Sequence, residues 1–500
     1  MKKPILLFFA LLLLNNFSWS QSNGTIVFDE TYIHEIQLTF EQVNFWDSLD
    51  HYYNEWFNNG AENIEYMMAA VTIDGNEIDS IGIRQKGFYS NWGAWTDKKP
   101  LKLKFNKYVS GRKYDGLKKI NLQNGFQDAA MIRDALSYKF MRDAGIPASR
   151  TAYAKVYLNG EYWGLYIMVE QVDNKFLKNW FDDNDGDLFK CMAWTNLDWQ
   201  GNNEANYTDE FELKTNEETS DFTDFINWVD VINNSADADF KDNLANIFET
   251  EKYLKVLASD IIMLNWDSYY DHGRNFYVYQ NPDDNKFNWI PWDYNLSFSD
   301  QPIELIIDYS DLPFSEPKPL VINTQENDDL RAVYFSHLCY LINNYFNLDH
   351  LEEYIDNTVQ LIRPPLVLDE NKFFPNIADF DMAIDQEIKQ FITQRYEDVV
   401  QQLDGYGYSC ITGIEDVAIN DEFLMYPNPA NQQFNIKIKN NGASKFKEFQ
   451  VLDVLGRKII DQQINGPNIT VNCSDWTSGI YLVVLFSEAN VFVKKINVKR

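Results

Sequence analysis

The order of strand-like and helix-like patterns along the chain is the feature that most limits its possible folds. Residues from about 72 to 125 alternate apolar and polar side chains, which is typical of half-buried strands, and a hairpin pattern follows at 151–169. Helical spacing dominates later, at 220–265 and again at 330–403. Because strands come first and helices do not alternate with them, we predict an α+β fold and not a doubly wound sheet.

A change in texture near residue 410 divides the chain into two parts. Residues 411–423 have the composition of a linker, and short alternating strands follow the sequence Tyr426-Pro427-Asn428-Pro429. This last part is also richer in lysine than the rest of the chain. We therefore predict a separate small all-β sandwich domain at 424–500.

The first twenty residues have the pattern of a secretory signal peptide. A basic start precedes an apolar run at 5–14, and small residues at Ser18 and Ser20 suit cleavage before Gln21. No later stretch is apolar for the roughly 18 residues that a transmembrane helix needs. The sequence therefore predicts an exported protein without a transmembrane segment.

Charge and cysteine content exclude several functional classes. The formal net charge is −32, and nucleic acid binding would need clustered Lys and Arg to neutralise phosphates. We therefore expect no nucleic acid partner. The four cysteines are too few for a disulfide framework and too scattered for a zinc site, although one or two bridges are compatible with an oxidising compartment.

One segment of the chain concentrates groups suited to phosphoryl transfer. This reaction needs metal ions on the phosphates, a cation beside them and a carboxylate that orients the acceptor hydroxyl. Asp267, Asp271 and Asn275 lie on a loop before a strand pattern at 276–279, and Asp293 follows the next strand. Loop and strand ends can converge on one metal, but the aspartates could equally be turn or capping residues.

At this point the sequence resembles the CotH kinase family, a group of atypical secreted kinases, over roughly residues 70–300. The stretches that carry the resemblance are Ile83-Arg84-Gln85-Lys86-Gly87, Lys98-Lys99-Pro100-Leu101-Lys102-Leu103-Lys104-Phe105, Met131-Ile132-Arg133-Asp134, Ala144-Gly145-Ile146-Pro147, Asn159-Gly160-Glu161-Tyr162-Trp163-Gly164-Leu165-Tyr166 with Glu170, and Ile290-Pro291-Trp292-Asp293. The resemblance implies an atypical protein kinase-like, two-lobed domain at 21–410, with its core at about 70–300 and a helical extension at about 330–403. It also implies ATP with Mg²⁺ or Mn²⁺ as cofactors.

The resemblance also implies roles for individual residues. Asp267 falls on the catalytic aspartate of the family, and Asn275 and Asp293 fall on its metal-binding pair. Extra residues between Asp267 and Asn275 depart from the commoner family pattern and leave Asp271 as a rival for the catalytic role.

Candidate phosphate-binding residues come from the strand region. Lys102 and Lys104 share one face of an alternating strand, and Arg84 and Lys86 share another, so two basic faces could meet over a triphosphate. Solvated surface lysines remain the alternative for Lys102 and Lys104. Glu170, at the end of the 151–169 hairpin, could either touch the nucleotide or be structural.

The last eighty residues resemble the C-terminal sorting domain of the type IX secretion system. The resemblance rests on the Tyr426-Pro427-Asn428-Pro429 opening, the 453–457 turn, Ser478-Gly479-Ile480-Tyr481, and Lys494-Lys495 near the end. It implies export through the periplasm to the cell surface or the medium, with the type IX machinery as a partner. An adhesive β-sandwich is the structural alternative.

Two functions from different classes fit the whole sequence. The first is a secreted kinase that transfers the γ-phosphoryl group of Mg-ATP to Ser or Thr of exported or cell-surface proteins. The second is a non-catalytic cell-surface binding or adhesion module, a pseudokinase, which the scarcity of extracellular ATP favours. Separately, the acidic run at 182–187 looks calcium-like but has Met192 where an EF-hand loop carries its twelfth-position glutamate, so an acidic turn is the other interpretation.

Overall fold

The computed structural model describes residues 23–192, 194–300, 303–312, 315–410, 423–438, 446–453, 456–464, 466–487 and 491–499. The predicted signal peptide at 1–20 lies outside these residues, as does the predicted linker at 411–423 apart from Phe423. The boundaries predicted for the domains therefore stay predictions.

Seven strands form a closed barrel in the first part of the chain. They are β1 (Ile33–Thr39), β2 (Met67–Ile73), β3 (Asn76–Gln85), β4 (Leu101–Lys104), β5 (Lys119–Gln123), β6 (Thr151–Leu158) and β7 (Glu161–Val169). Their spatial order is β1-β2-β3-β4-β5-β7-β6, and a parallel pairing of β6 with β1 closes the ring. The strand patterns expected at 72–125 and the hairpin expected at 151–169 are thereby confirmed.

The two faces of the barrel wall differ in chemistry because neighbouring side chains on a strand point to opposite sides. Ile83 and Leu103 are fully buried in the barrel interior. Arg84 and Lys102 alternate with them, pair directly across β3 and β4, and so lie on the outer face. Helix α1 (Phe45–Asn59) packs against β3, and a short helix α2 (Tyr89–Trp92) follows that strand.

The protein also contains a second, smaller sheet and a group of helices. The helices are α3 (Arg133–Asp143), α4 (Asn174–Phe181), α5 (Thr223–Asn234), α6 (Phe240–Ile247), α7 (Thr250–Ile262) and α8 (Tyr269–His272). Helix α3 lies between β5 and β6 in the chain, and the other elements follow β7. The strands are β8 (Leu188–Cys191), β9 (Phe211–Leu213), β10 (Phe276–Asn281) and β11 (Lys286–Pro291), in the antiparallel order β11-β10-β8-β9. Tyr277, Val278 and Trp289 of this sheet belong to the largest apolar core.

A residue with left-handed backbone determines where helix α3 begins. Met131 has a φ of +55°, and a residue in this left-handed conformation cannot belong to a regular right-handed helix. The Asp128 carboxylate then accepts a hydrogen bond from the Arg133 backbone N–H at 2.9 Å and so satisfies a donor at the start of the helix. The helix therefore starts at Arg133, which places Asp134 in its first turn.

The expected helical extension at 330–403 is confirmed. It consists of α9 (Pro319–Glu326), α10 (Asp328–Asn344), α11 (Leu348–Val367), α12 (Ile377–Met382), a π-helical segment (Ala383–Lys389) and α13 (Gln390–Gly405). A disulfide joins Cys339 of α10 to Cys410, which answers the pairing that the sequence left open. None of the helices in the described ranges is long and apolar enough to cross a membrane.

A buried ion pair fastens the extension to the barrel. Lys98 Nζ lies 2.6 Å from a carboxylate oxygen of Asp369, and both side chains are fully buried. The same oxygen accepts the Leu165 backbone N–H at 3.0 Å. Gly164 has a φ of +148°, and a Cβ there would come within 2.6 Å of that carboxylate, so the close approach requires glycine.

The C-terminal part is all β, as predicted. Its strands are β12 (Phe423–Tyr426), β13 (Gln433–Ile438), β14 (Phe446–Asp453), β15 (Lys458–Gln463), β16 (Asn468–Asn472), β17 (Gly479–Ser487) and β18 (Val491–Val498). They form a three-stranded sheet, β12-β13-β16, and a four-stranded sheet, β15-β14-β17-β18, over one shared core.

Candidate active site

The two predicted metal-binding residues meet at the open end of the β10–β11 hairpin. The register pairs Phe276 with Pro291, and the Asn275 carbonyl accepts the Trp292 N–H at 3.0 Å. Asn275 and Asp293 have φ values of +62° and +65°. Left-handed backbone is uncommon outside glycine and clusters at functional sites.

Three hydrogen bonds hold the chain in place at and just after Asp293. The Asp293 N–H donates to the Tyr138 hydroxyl at 2.9 Å, and the Tyr294 N–H donates to Asp134 at 2.8 Å. The Tyr294 hydroxyl donates to Asp260 at 2.5 Å. Helices α3 and α7 thus fix the position of Asp293 through buried partners.

Asp134 is a site residue that the sequence did not single out. Burial raises the pKa of Asp134 and that of Asp293, and the Asp293 charge raises the pKa of Asp134 further. Lys86 opposes both effects. Asp134 lies in a stretch that resembles the CotH family, and this resemblance could have pointed to it. Because Asp134 and Asp293 are far apart along the chain, the sequence did not indicate that they are close in space.

Asp267 lies beside this hairpin end and is already engaged by neighbours. Arg274 Nε donates to its carboxylate at 2.6 Å, and Asn275 Nδ2 donates to the other carboxylate oxygen at 3.0 Å. Burial raises the pKa of Asp267 to about 6, against the lowering effect of Arg274, and Asp293 adds a smaller increase. A buried carboxyl group whose pKa lies close to neutral pH is suited to proton transfer.

Asp271, the rival for the catalytic role, faces a different set of groups. It lies in α8, 3.5 Å from His272 Nδ1, and raises the pKa of that histidine through a hydrogen bond. It also acts on Lys318, whose pKa it raises against the effect of burial. The structure therefore brings Asp267, and not Asp271, into contact with Asn275.

The four predicted cations lie along one outer face of the barrel. Arg84 stands directly opposite Lys102 across β3 and β4, and Lys104 stands opposite Gly82. Lys86 Nζ donates to Gln123 at 2.8 Å, and Lys102 Nζ donates to Gln171 at 2.7 Å. Within the described residues these four cations have no carboxylate partner within 4 Å.

The electrostatics of these cations reflect crowding and burial. Burial lowers the pKa of Lys86 to about 8, although Asp293 and Asp134 act in the opposite direction. Burial also brings the pKa of Lys102 well below its ordinary value, and Arg84 and Lys119 lower it further. Because burial disfavours the charged form of both lysines, a bound anion would stabilise that form.

Lys190 is a second residue that the sequence missed. It lies on β8 of the smaller sheet, yet its charge acts on Lys86 and lowers the pKa of Asp293. Lys190 therefore adds a positive charge from the smaller sheet to those of the barrel face. No local pattern distinguishes Lys190 from a solvated strand lysine.

Glu170 has a different environment from the one predicted for a nucleotide contact. Arg150 donates hydrogen bonds to its carboxylate from Nε at 2.9 Å and from Nη2 at 2.6 Å, and the Arg150 backbone N–H donates a third. The next residue, Gln171, contacts Lys102 instead. This placement corresponds to the structural role that the sequence left open for Glu170, and it offers no support for the nucleotide contact.

Oxygen donors for a metal are available, although they do not form a dense acidic cluster. The described part of the chain contains no group of three or more His, Cys, Asp or Glu side chains that could hold a metal ion. An amide oxygen and a carboxylate, such as those of Asn275 and Asp293, are ligands that Mg²⁺ accepts when substrate phosphates complete its coordination. The donor set therefore fits a magnesium-bound nucleotide, and the metal assignment stays a prediction.

The acidic run at 182–187 is held by hydrogen bonds among protein groups. Asp187 accepts from Asn216 at 2.7 Å and also from Ser220, and Asp183 accepts the Asp185 N–H at 2.9 Å. These contacts suit the acidic turn, the second of the two interpretations.

Comparison with known proteins gives results for both parts of the chain. The family model described as a secretion system C-terminal sorting domain matches residues 424–499, and this domain indicates type IX secretion to the cell surface or the extracellular space. Among solved structures, a chain of PorZ, a surface component of the type IX secretion system of Porphyromonas gingivalis, shares 19% identity over 18% of this chain and 13% of its own. Its TM-score of 0.15 is too low to support a statement about fold.

Two relatives match the first part. Inner spore coat protein H of Bacillus subtilis is 24% identical over 275 residues, which cover 53% of this chain and 73% of the relative. Invasin CotH2 of Rhizopus delemar is 22% identical over 241 residues, which cover 44% of this chain and 40% of the relative. The family model for CotH kinase protein matches residues 83–399, more than half of the sequence and all of the site described above, so the chain belongs to the CotH kinase protein family.

Proposed function

We propose that this protein is a secreted, atypical kinase that transfers the γ-phosphoryl group of ATP to Ser or Thr hydroxyls of exported proteins. In this proposal the barrel and the smaller sheet act as the two lobes of a kinase-like domain. The observation that carries it is that Asp267, Asn275 and Asp293 lie at one hairpin end, where the charge of Lys86 acts on Asp293.

The basic face supports binding of the triphosphate. Lys86 is a cation whose charge acts on both Asp293 and Asp134. Arg84 and Lys102 continue the positive charge along the barrel wall. Magnesium held by Asn275 and Asp293 would neutralise charge on the transferring phosphoryl group.

Asp267 supplies the proton acceptor in this proposal. The acceptor hydroxyl oxygen attacks the γ-phosphorus, the bond from that phosphorus to the bridging oxygen breaks, and ADP leaves. The hydroxyl proton passes to Asp267, whose pKa of about 6 leaves it mostly ionised at neutral pH. Arg274 orients the carboxylate through its 2.6 Å hydrogen bond.

One observation favours the non-catalytic alternative. The Asp267 carboxylate is paired with Arg274, and Arg274 itself lies over the rings of Tyr89 and Trp194, at 5.4 Å and 5.9 Å from their centroids. A pair held in this way resembles a fixed structural contact more than a free base. In a pseudokinase, the same residues would support only binding.

Incubation of the mature chain with γ-labelled ATP, Mg²⁺ or Mn²⁺, and exported proteins of the same cell tests the proposal. We expect label on Ser or Thr of at least one exported protein, and loss of that label with Asp267→Asn. Binding of Mg-ATP without label transfer under both metals would overturn the kinase and leave the binding module.

A further inference from the structure

Four large aromatic residues are exposed close to the candidate active site. Phe88, Tyr89 and Trp92 belong to α2 and the residue before it, and Trp194 belongs to the segment after β8. The exposed fraction of these residues ranges from 39% for Tyr89 to 63% for Trp194. We call these four residues the aromatic patch.

Ring contacts make the α2 part of the patch continuous. The ring centroids of Phe88 and Tyr89 are 5.0 Å apart, and those of Tyr89 and Trp92 are 6.2 Å apart. Phe57 of α1 packs beside them, at 5.1 Å from Phe88 and 6.1 Å from Trp92. Single exposed apolar residues are normal on a protein surface, whereas a contiguous group of them indicates an interaction site.

Arg274 connects the patch to the proposed base. Its guanidinium carbon lies 5.4 Å from the ring centroid of Tyr89 and 5.9 Å from that of Trp194. The same guanidinium donates a hydrogen bond to the Asp267 carboxylate at 2.6 Å. The rings of Tyr89 and Trp194 therefore lie one residue away from the carboxylate that the acceptor hydroxyl has to reach.

The chain also connects the patch to the proposed phosphate-binding residues. Lys86 precedes Phe88 by two residues, and Gly87 between them has a φ of +79°. A Cβ at position 87 would overlap the Ser90 hydroxyl, so the turn from β3 into α2 requires glycine. The patch is therefore next to both parts of the proposed transfer site.

Hydrogen bonds from partly or fully buried side chains fix the backbone that carries the α2 rings. The Tyr53 hydroxyl donates to the Gly87 carbonyl at 3.1 Å. Asn91 Nδ2 donates to the Gln85 side chain at 2.8 Å, and Lys99 Nζ donates to the Asn91 carbonyl at 3.0 Å. Because this backbone is already held in place, binding of a partner to the rings would cost little ordering of the protein.

The shape and charge of the patch favour an apolar side chain as its ligand. The ring planes meet at 80° between Phe88 and Tyr89 and at 62° between Tyr89 and Trp92, so these rings do not form the flat face on which a sugar ring would stack. Arg274 and Lys99 already donate to protein oxygens, so apolar contact would supply most of the binding energy. Trp, Tyr and Arg are also the residues that contribute most to binding at protein interfaces.

We propose that the aromatic patch binds the acceptor protein through a large apolar side chain close in sequence to the phosphorylated Ser or Thr. This rests on the proposed kinase function and adds a requirement on its acceptor. An acceptor hydroxyl at Asp267 lies beside Arg274, so the residues that flank it reach the rings of Tyr89 and Trp194. Four residues of extended chain span about 13 Å, so we expect the apolar residue within about four positions of the hydroxyl.

Substitution in the acceptor tests this requirement. The mature chain is incubated with γ-labelled ATP, Mg²⁺ and exported proteins, and the labelled residues are located by mass spectrometry. One labelled protein is then prepared with the large apolar residues near its labelled site replaced by Gln. We expect kcat/KM for this acceptor to fall at least about tenfold, the usual loss at an important interface residue. An unchanged kcat/KM, or label on carbohydrate instead of Ser or Thr, would overturn the proposal.

Variants of the patch test it from the side of the enzyme. Trp92→Ala and Trp194→Ala should each raise KM for the acceptor severalfold and leave the Kd for Mg-ATP unchanged, and Trp92→Phe should restore most of the loss. Tyr340→Ala is the matched control, because Tyr340 is an aromatic residue of α10 with an exposed fraction of 43%. Unchanged KM for the acceptor in both Trp variants, or an equal rise in the control, would contradict the assignment.

The same experiments distinguish this inference from the proposed function. Label that depends on Asp267 but not on Trp92 or Trp194 would remove the binding role of the patch and leave the kinase. Absence of label on every exported protein would remove both.

Discussion

The basic face of the barrel and the loop at 265–275 are opposite in how far their charges are already satisfied. On the barrel, Lys86 and Lys102 donate to neutral amide oxygens, and among the described residues neither has a carboxylate within 4 Å. On the loop, Asp267 already has a guanidinium and an amide as partners. The difference suggests that the barrel residues bind an anionic ligand, whereas the Asp267 carboxylate is held in a fixed position by its protein partners.

Asp293→Asn should have the largest effect, because Asp293 is where the two regions meet. The change removes a proposed metal ligand and the anion that faces Lys86. We expect turnover to fall by about 100-fold or more and Mg-nucleotide affinity to fall as well. Asn275→Ala should act in the same direction, more weakly. Labelled transfer and calorimetry measure both quantities.

Asp284→Asn provides the control for this change. Asp284 is exposed at the other end of the same hairpin, so its removal should alter neither quantity. Unchanged metal-nucleotide affinity in Asp293→Asn would contradict the metal assignment.

Asp267→Asn should separate the two regions by affecting the loop alone. The carboxamide keeps the shape but cannot accept the hydroxyl proton, so turnover should fall by roughly 100-fold while nucleotide affinity survives. Asp271→Asn is the comparison, because Asp271 faces His272 and Lys318. If Asp271→Asn abolishes turnover and Asp267→Asn does not, the catalytic residue is Asp271.

Arg274→Gln should shift the pH dependence of the reaction without abolishing it. Turnover requires ionised Asp267, so activity should fall with decreasing pH through the pKa of about 6. Arg274 lowers this pKa, so its removal should raise it and move the acid limb to higher pH. We expect a severalfold loss near pH 6 and little change near pH 8. An acid limb that stays in place or moves lower would show that Asp267 is not the titrating group.

Truncation after residue 412 should have the smallest effect on chemistry. The cut keeps Cys410 in its disulfide and removes no proposed site residue. The ion pair of Lys458 with Asp404, at 3.0 Å, is a surface contact of little energetic worth. We expect unchanged transfer by the purified protein and its retention in the periplasm, measured by fractionation. Loss of transfer in a folded truncated protein would refute this independence.

The sequence predicted the parts of the site that are close along the chain. Asn275 and Asp293 flank one hairpin, so the alternation of strands and turns was enough to bring them together. Asp134 and Lys190 escaped prediction because they reach the site from α3 and β8, through contacts that only the packed core determines. The same limit applies to the parallel pairing of β1 with β6 that closes the barrel.

The sequence also could not predict roles that depend on which residue a side chain contacts in the fold. Glu170 and Asp267 are both buried acids that pair with an arginine. Their contacts distinguish them, because Glu170 pairs with Arg150 whereas Asp267 pairs with Arg274 and also contacts Asn275. Lys98 stands in a stretch typical of the family, but its partner Asp369 lies outside the segment of resemblance.

The ion pair of Lys98 with Asp369 limits how short a stable fragment of this chain can be. A fragment cut near residue 300 would contain every proposed catalytic group but would lack Asp369, the counterion of Lys98, and the helices that pack against α3 and α7. Removal of one partner from such a pair costs about 3 to 5 kcal/mol, a large share of the stability of an ordinary domain. A folded fragment should therefore require the chain as far as Asp369 at least, so the helices after residue 319 are needed for the stability of the part that contains the candidate site.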